Sequence, residues 1–159
     1  MTDPQLVEIA GRNWLTSELL QAGLEVARPE RDRGIDLIAY RDLDKERKFR
    51  ACPIQLKAAT GEVFGLDPKY ERFPGLVLVY VWHLGDRART KCFALTYSEV
   101  LHVADEMGWT KTDSWITGGR NKKRGYSTTA PSERLKKMLA PFEVSPGKWL
   151  TVIDRALSY

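Results

Sequence analysis

The run Gly34-Ile35-Asp36-Leu37-Ile38-Ala39, followed after a polar stretch by Ile54-Gln55-Leu56-Lys57-Ala58, decides how this chain reads. Both stretches alternate as strands do, and successive side chains on a strand point to opposite faces. Gln55 and Lys57 therefore share one face, while Ile54, Leu56 and Ala58 turn the other way, toward a core. Asp36 alternates in the same manner with Ile35 and Leu37. Two core-backed strands thus present an acid, an amide oxygen and an ammonium that packing does not require. Such a set fits phosphodiester hydrolysis, in which charge grows on the phosphoryl oxygens and a water must be oriented and deprotonated. A divalent metal performs both tasks. Mg²⁺ takes oxygen ligands and keeps several waters, so one carboxylate and one amide carbonyl can hold it. Asp36 and Gln55 are the candidate metal ligands, and Lys57 is the candidate for stabilising the transition state.

Working outward, Asp3 is placed to cap an opening helix, with Pro4 in its first turn and Gly23 at its end. Residues 24–29 read as a short strand, 30–33 as a charged turn and 35–41 as the second strand. The polar run 42–47 suits a hairpin tip, and 48–59 is the third strand, where Pro53 argues for an edge position or a local bulge. The nearly continuous apolar run 75–83 predicts a central strand buried on both faces. Residues 90–95 pair with it across the turn Gly85-Asp86-Arg87. Thr96-Tyr97-Ser98-Glu99 has capping-box spacing, and the helix it opens runs to Met107 and stops at Gly108. The order predicts an α/β fold with a mixed central β-sheet flanked by helices.

Beyond Trp109 the composition changes. Gly118-Gly119-Arg120-Asn121-Lys122-Lys123-Arg124-Gly125 reads as a flexible cationic loop. Arg120, Lys122, Lys123 and Arg124, with Tyr126 beside them, are candidate nucleic-acid contacts. They would touch phosphates, and Tyr126 would stack on a base, giving salt-sensitive affinity without base readout. Two short helices are expected, over 132–139 and from Ser145-Pro146 toward Leu157. Trp149, Val152, Ile153 and Leu157 recur at helical spacing, so this small C-terminal helical extension packs on something. Residues 1–108 then form the α/β core, and 109–159 the basic loop and extension of the same domain.

The bulk properties agree with this outline. A chain of 159 residues, 43% hydrophobic and 29% charged, suits one soluble domain with a real core. The net charge of +4 tolerates a polyanionic partner without demanding one. Cys52 and Cys92 lie in apolar strand-like runs and read as buried thiols, with no disulfide or metal spacing. No apolar stretch resembles a signal peptide or a membrane span, so a cytoplasmic location is the default. His83 and His102 are in no ligand spacing, and Trp82, Trp109, Trp115 and Trp149 read as packing residues. There is no phosphate-binding glycine-rich loop and no nucleophilic triad.

From the opening helix through Lys57 the chain resembles the PD-(D/E)XK nuclease-fold superfamily, above all its Mrr-type and Holliday-junction-resolvase-like branches. The elements that carry the resemblance are Gly23-Leu24-Glu25-Val26, Gly34-Ile35-Asp36-Leu37-Ile38 and Ile54-Gln55-Leu56-Lys57, in the family's order. The resemblance implies a restriction-endonuclease-like sheet and DNA cleavage that depends on Mg²⁺ or Mn²⁺. Two departures bear on catalysis. The acidic position of the third motif is Gln55, a neutral and weaker ligand. On the opening helix, the position of the family's glutamate holds Arg12; Glu8 lies one turn earlier on the same face, and Glu18 is the other candidate. Glu8 is preferred and joins Asp36, Gln55 and Lys57 as a candidate catalytic residue, while Glu30 and Asp32 are further candidate metal contacts.

Two functions follow from this reading: a metal-dependent nuclease that hydrolyses DNA phosphodiester bonds, or a catalytically inactive nuclease-fold module that binds nucleic acid or a protein. A third option is an oligomeric interaction protein that uses the apolar C-terminal extension. A homodimer suits a protein that cuts both strands, although no residue specifies one.

Overall fold

The computed structural model describes residues 3–41 and 49–158. Asp3 opens α1 (Pro4–Gln21) by accepting the Gln5 amide at 2.9 Å, and Gly23 follows its end. The strands are β1 (Glu25–Ala27), β2 (Leu37–Tyr40), β3 (Ala51–Ala58), β4 (Phe64–Leu66), β5 (Val77–Trp82), β6 (Lys91–Thr96) and β7 (Tyr126–Thr128). Five of them form one mixed sheet in the order β1-β2-β3-β5-β6, in which only the β3–β5 pair is parallel. β4 and β7 form a small antiparallel sheet of their own. The remaining helices are α2 (Tyr97–Glu106), α3 (Asp113–Ile116), α4 (Glu133–Leu139) and α5 (Trp149–Ala156). The α/β class, the mixed central sheet and the C-terminal helix are those the sequence predicts.

Strand alternation divides the interior into two cores. On one face Leu37, Ala39, Cys52, Ile54 and Leu56, with the odd residues of β5, pack beneath α1 and α5. On the other face Leu78, Tyr80 and Trp82 meet Phe64, Trp109 and the buried side of α2 and α4. β5 is accordingly buried along its whole length. Its polar groups anchor the second sheet: Tyr80 donates to Gly65 O at 2.6 Å, and Trp82 Nε1 donates to Val63 O at 2.7 Å. Residues beyond 108 enter both cores, through Trp149, Val152 and Ile153 on one side and Leu135 and Leu139 on the other.

Three expectations are corrected. β3 is an interior strand, not an edge, and Pro53 pairs with Ile38 within the ladder. By alternation from Leu56, whose N–H points toward β2, the Pro53 nitrogen faces β5, where pairing begins only at Ile54↔Val77. No ladder bond is therefore lost by the missing N–H. β2 starts at Leu37, so Asp36 stands just before the strand. α5 starts at Trp149, and the Ser145-Pro146 segment is a turn before it. The hairpin tip expected at 42–47 lies outside the described residues. The capping box of α2 is present in both directions, and both cysteines are free and buried. Among the described residues no helix is long and apolar enough to cross a membrane.

Candidate active site at a strand fork

The site forms where β2 and β3 part. Their register sets Leu37 opposite Ile54, which brings Asp36 beside Gln55 at the point where the ladder ends. The Asp36 amide donates to Ile54 O at 2.8 Å. Its carboxylate Oδ2 then accepts the Leu56 N–H at 2.7 Å, taking the place of a backbone partner. A carboxylate held this way is positioned by the main chain of the strand that carries Gln55 and Lys57.

The preceding turn explains the glycine of the motif. Gly34 has φ of 93°, a left-handed conformation disfavoured for L side chains, and its N–H donates to Asp32 Oδ1 at 3.0 Å. A β-carbon there would meet the Tyr70 and Phe73 rings at 3.4 Å. The turn thereby also brings Asp32 to the site.

A cleft of about 610 Å³ opens at the fork, bounded by Glu8, Arg12, Asp32, Asp36, Gln55 and Lys57. α1 reaches it because Gly11 lets the helix lie directly on β3: a β-carbon on Gly11 would stand 2.6 Å from the Ala58 Cβ. Glu8 and Arg12, one turn apart, form a salt bridge at 3.4 Å. Glu8 bounds the cleft, whereas Glu18 and Glu30 do not. Arg12, at the expected glutamate position, puts a cation there, and its Nε is buried without a hydrogen-bond partner.

Burial dominates the electrostatics. It raises the Asp36 carboxyl above its ordinary 3.8, and the neighbouring charges of Asp32 and Glu8 add to the rise. The Leu56 N–H and the Arg12 guanidinium act in the opposite direction. Burial lowers Lys57 below 10.5; Asp67 opposes this, whereas Lys123 and Lys69 reinforce it. Asp36 also opposes the shift, but less than Asp67 does. Gln55 Nε2 donates to Leu56 O at 3.3 Å, and Gln55 Oε1 is buried without a partner. Tyr70, buried beside Asp67, Asp36 and Asp32, is pushed up to about 12.

The structure therefore brings Asp36, Gln55, Lys57 and Glu8 to one cleft. Among the described residues, no three His, Cys, Asp or Glu side chains converge as a metal-holding group. The donor set is instead one carboxylate and one unpartnered amide oxygen, with Glu8 and Asp32 at the rim. Arg120, Lys122, Lys123 and Arg124 are exposed and lie elsewhere, on the loop before β7. Lys122, Lys123 and Arg124 border a second cleft, whereas Arg120 borders neither of the two. Sequence reasoning missed Asp67 and Tyr70. Asp67-Pro68 was their signal, since Asp67 caps the 3-10 turn Pro68–Arg72 that carries Tyr70. Family models, curated proteins and solved structures offer no match to this chain.

Proposed function

We propose that this protein is a metal-dependent nuclease that hydrolyses DNA phosphodiester bonds in the cleft at the strand fork. The observation that carries the reading is that Asp36, Gln55 and Lys57 line one cleft, with Gln55 Oε1 buried and unpartnered. A buried amide oxygen without a donor is destabilising unless something occupies it. A hydrated Mg²⁺ or Mn²⁺ fits this donor set, since it takes oxygen ligands and retains waters. Asp36 and Gln55 would hold it, with Glu8 and Asp32 adding negative charge around it. When bound, such an ion supplies Lewis acidity toward the phosphoryl oxygens and acidifies water.

The chain's own residues do the rest. The Leu56 N–H fixes the Asp36 carboxylate, so no side-chain reorganisation is needed when substrate arrives. Lys57 presents an ammonium in a weakly hydrated setting, where its field on a phosphoryl oxygen is stronger than in water. Arg12 offers a second cation at the rim, held by Glu8. A cytoplasmic location and a homodimer belong to the same proposal; sedimentation velocity checks the dimer.

The test is cleavage of plasmid and oligonucleotide DNA with Mg²⁺ or Mn²⁺. Wild-type protein is expected to cut, and Asp36→Asn and Lys57→Met to be inactive. Wild-type protein inert on every substrate with both ions would overturn the reading. The second reading, a binding module without catalysis, is favoured by the Glu8–Arg12 salt bridge and by the lack, among the described residues, of acids converging as a metal-holding group. It expects no heat of Mn²⁺ binding in calorimetry and unchanged DNA affinity in Asp36→Asn.

A further inference from the structure

Two clefts lie on neighbouring segments of the molecule. The first is the fork itself. The second, of about 620 Å³, opens between the turn that starts at Asp67 and the loop carrying Lys122, Lys123 and Arg124, with Tyr97 and Trp115 in its wall. The turn that walls the second meets the fork: Tyr70, between Lys69 and Glu71, and Phe73 would each touch a β-carbon on Gly34 at 3.4 Å, and Gly34 is two residues from both Asp32 and Asp36 of the first cleft.

The clefts differ in sign. Three acids border the first, against Arg12 and Lys57, whereas four cations border the second, against Asp67 and Glu71. Asp67 is already engaged, accepting the Lys69 N–H at 2.9 Å and pairing with its ammonium at 3.5 Å. The cationic wall is also built rather than trailing. Gly118, with φ of 87°, folds the loop so tightly that a β-carbon would lie 2.5 Å from Lys123 N. Arg124 Nε donates to Trp115 O at 2.8 Å, and the β4–β7 pairing holds the end of the loop beside Asp67.

A cleft of this size holds a nucleotide, with cations for its phosphate and the half-buried Tyr97 ring as a stacking face. A paired base cannot enter such a concavity, because its edge and faces are engaged within the duplex. We infer that the second cleft seats an unpaired DNA strand next to the phosphate at Lys57, so that the protein acts on single-stranded or flap DNA rather than on intact duplex. The inference rests on the proposed nuclease reading only for the position of the cut, since the strand's seat needs no catalysis.

The experiment is fluorescence anisotropy at low salt in EDTA, comparing a labelled thymidine oligonucleotide with a blunt hairpin duplex, using the full chain. Wild-type protein is expected to bind the single strand roughly tenfold more tightly than the duplex. Lys122→Ser with Lys123→Ser should weaken single-strand binding and flatten its salt slope by about 1.4, at about 0.7 per lost phosphate contact. Tyr97→Leu, which keeps an apolar side chain, should weaken it by about tenfold. Thermal unfolding checks that each variant is folded; the two lysines are exposed, so their variant carries the test if Tyr97→Leu is not. Duplex bound as tightly as single strand, or single-strand affinity unchanged in the lysine variant, would overturn the inference. Because EDTA prevents cleavage, a protein that cuts nothing still gives a decisive result here. Conversely, a protein that cuts duplex without this preference keeps the nuclease reading and loses the strand seat.

Discussion

Asp36 Oδ2 accepts the Leu56 amide at 2.7 Å, so the acid of the candidate site also completes the hydrogen bonding of β3. One carboxylate thus serves the fold and, under the proposed function, the chemistry, and substitutions that separate the two roles are informative.

Asp36→Asn keeps an acceptor for the Leu56 N–H and removes the charge. It is expected to leave stability within about 0.5 kcal/mol of wild type, as relief of a buried charge offsets a weaker hydrogen bond. Asp36→Ala orphans the Leu56 N–H and is expected to cost about 1–3 kcal/mol. Both should lose cleavage. Urea unfolding of the two variants checks this; equal stabilities would mean that the hydrogen bond is not structural.

The Asp36 carboxyl should titrate above 3.8, since burial, Asp32 and Glu8 all raise it. The folded state then holds its proton longer than the unfolded chain does. Ionisation therefore costs folding stability above the folded value, and this cost disappears as pH falls below 3.8. The proposed cleavage uses the ionised form, so activity is expected to fall with acid at a higher pH than for an ordinary aspartate. Carbon-13 NMR of the carboxyl checks the value. Asp32→Asn should lower it and Arg12→Gln should raise it.

Lys57→Met should abolish cleavage and yet raise stability at neutral pH by about 0.5–2 kcal/mol. A lysine whose folded value is depressed carries its burial cost below that value, and the cost vanishes as pH rises toward 10.5. The gain of the methionine variant should shrink over the same range. Thermal unfolding across pH decides it, and a destabilised variant would show that the ammonium is structural.

Gly11→Ala tests the seat of α1. Alanine favours a helix by about 1 kcal/mol over glycine. Here its methyl would stand 2.6 Å from the Ala58 Cβ, and neither atom can rotate away. Overpacking of this kind costs about 1–3 kcal/mol, so a net loss near 1 kcal/mol is expected. A double-mutant cycle with Ala58→Gly should show the two substitutions compensating, because they share one contact.

Much of the fold was legible because it is written in local signals. The cap at Asp3, the capping box at Thr96 and the apolar run of β5 depend on near neighbours and on periodicity. Asp36, Gln55 and Lys57 were found for the same reason: each is a polar residue breaking an otherwise apolar strand pattern. Pro53 misled, since its tolerance inside a sheet depends on where a neighbouring strand begins, which is a long-range matter. Residues 60–74 and 109–131 carried little periodicity, and their small sheet exists only because β4 meets β7.

What the sequence by itself determined is therefore the set of elements and the polar groups that interrupt them, because strand alternation and helix capping act within a few residues. What only the tertiary structure decided is which of those groups meet. It put Glu8 and Arg12, but not Glu18, at the fork cleft and set the lysine loop beside a second cleft. Those meetings follow from the close approach at Gly11, the fork after Leu37 and the β4–β7 pairing. Each of these is a contact between segments far apart in the chain, and no local pattern encodes it.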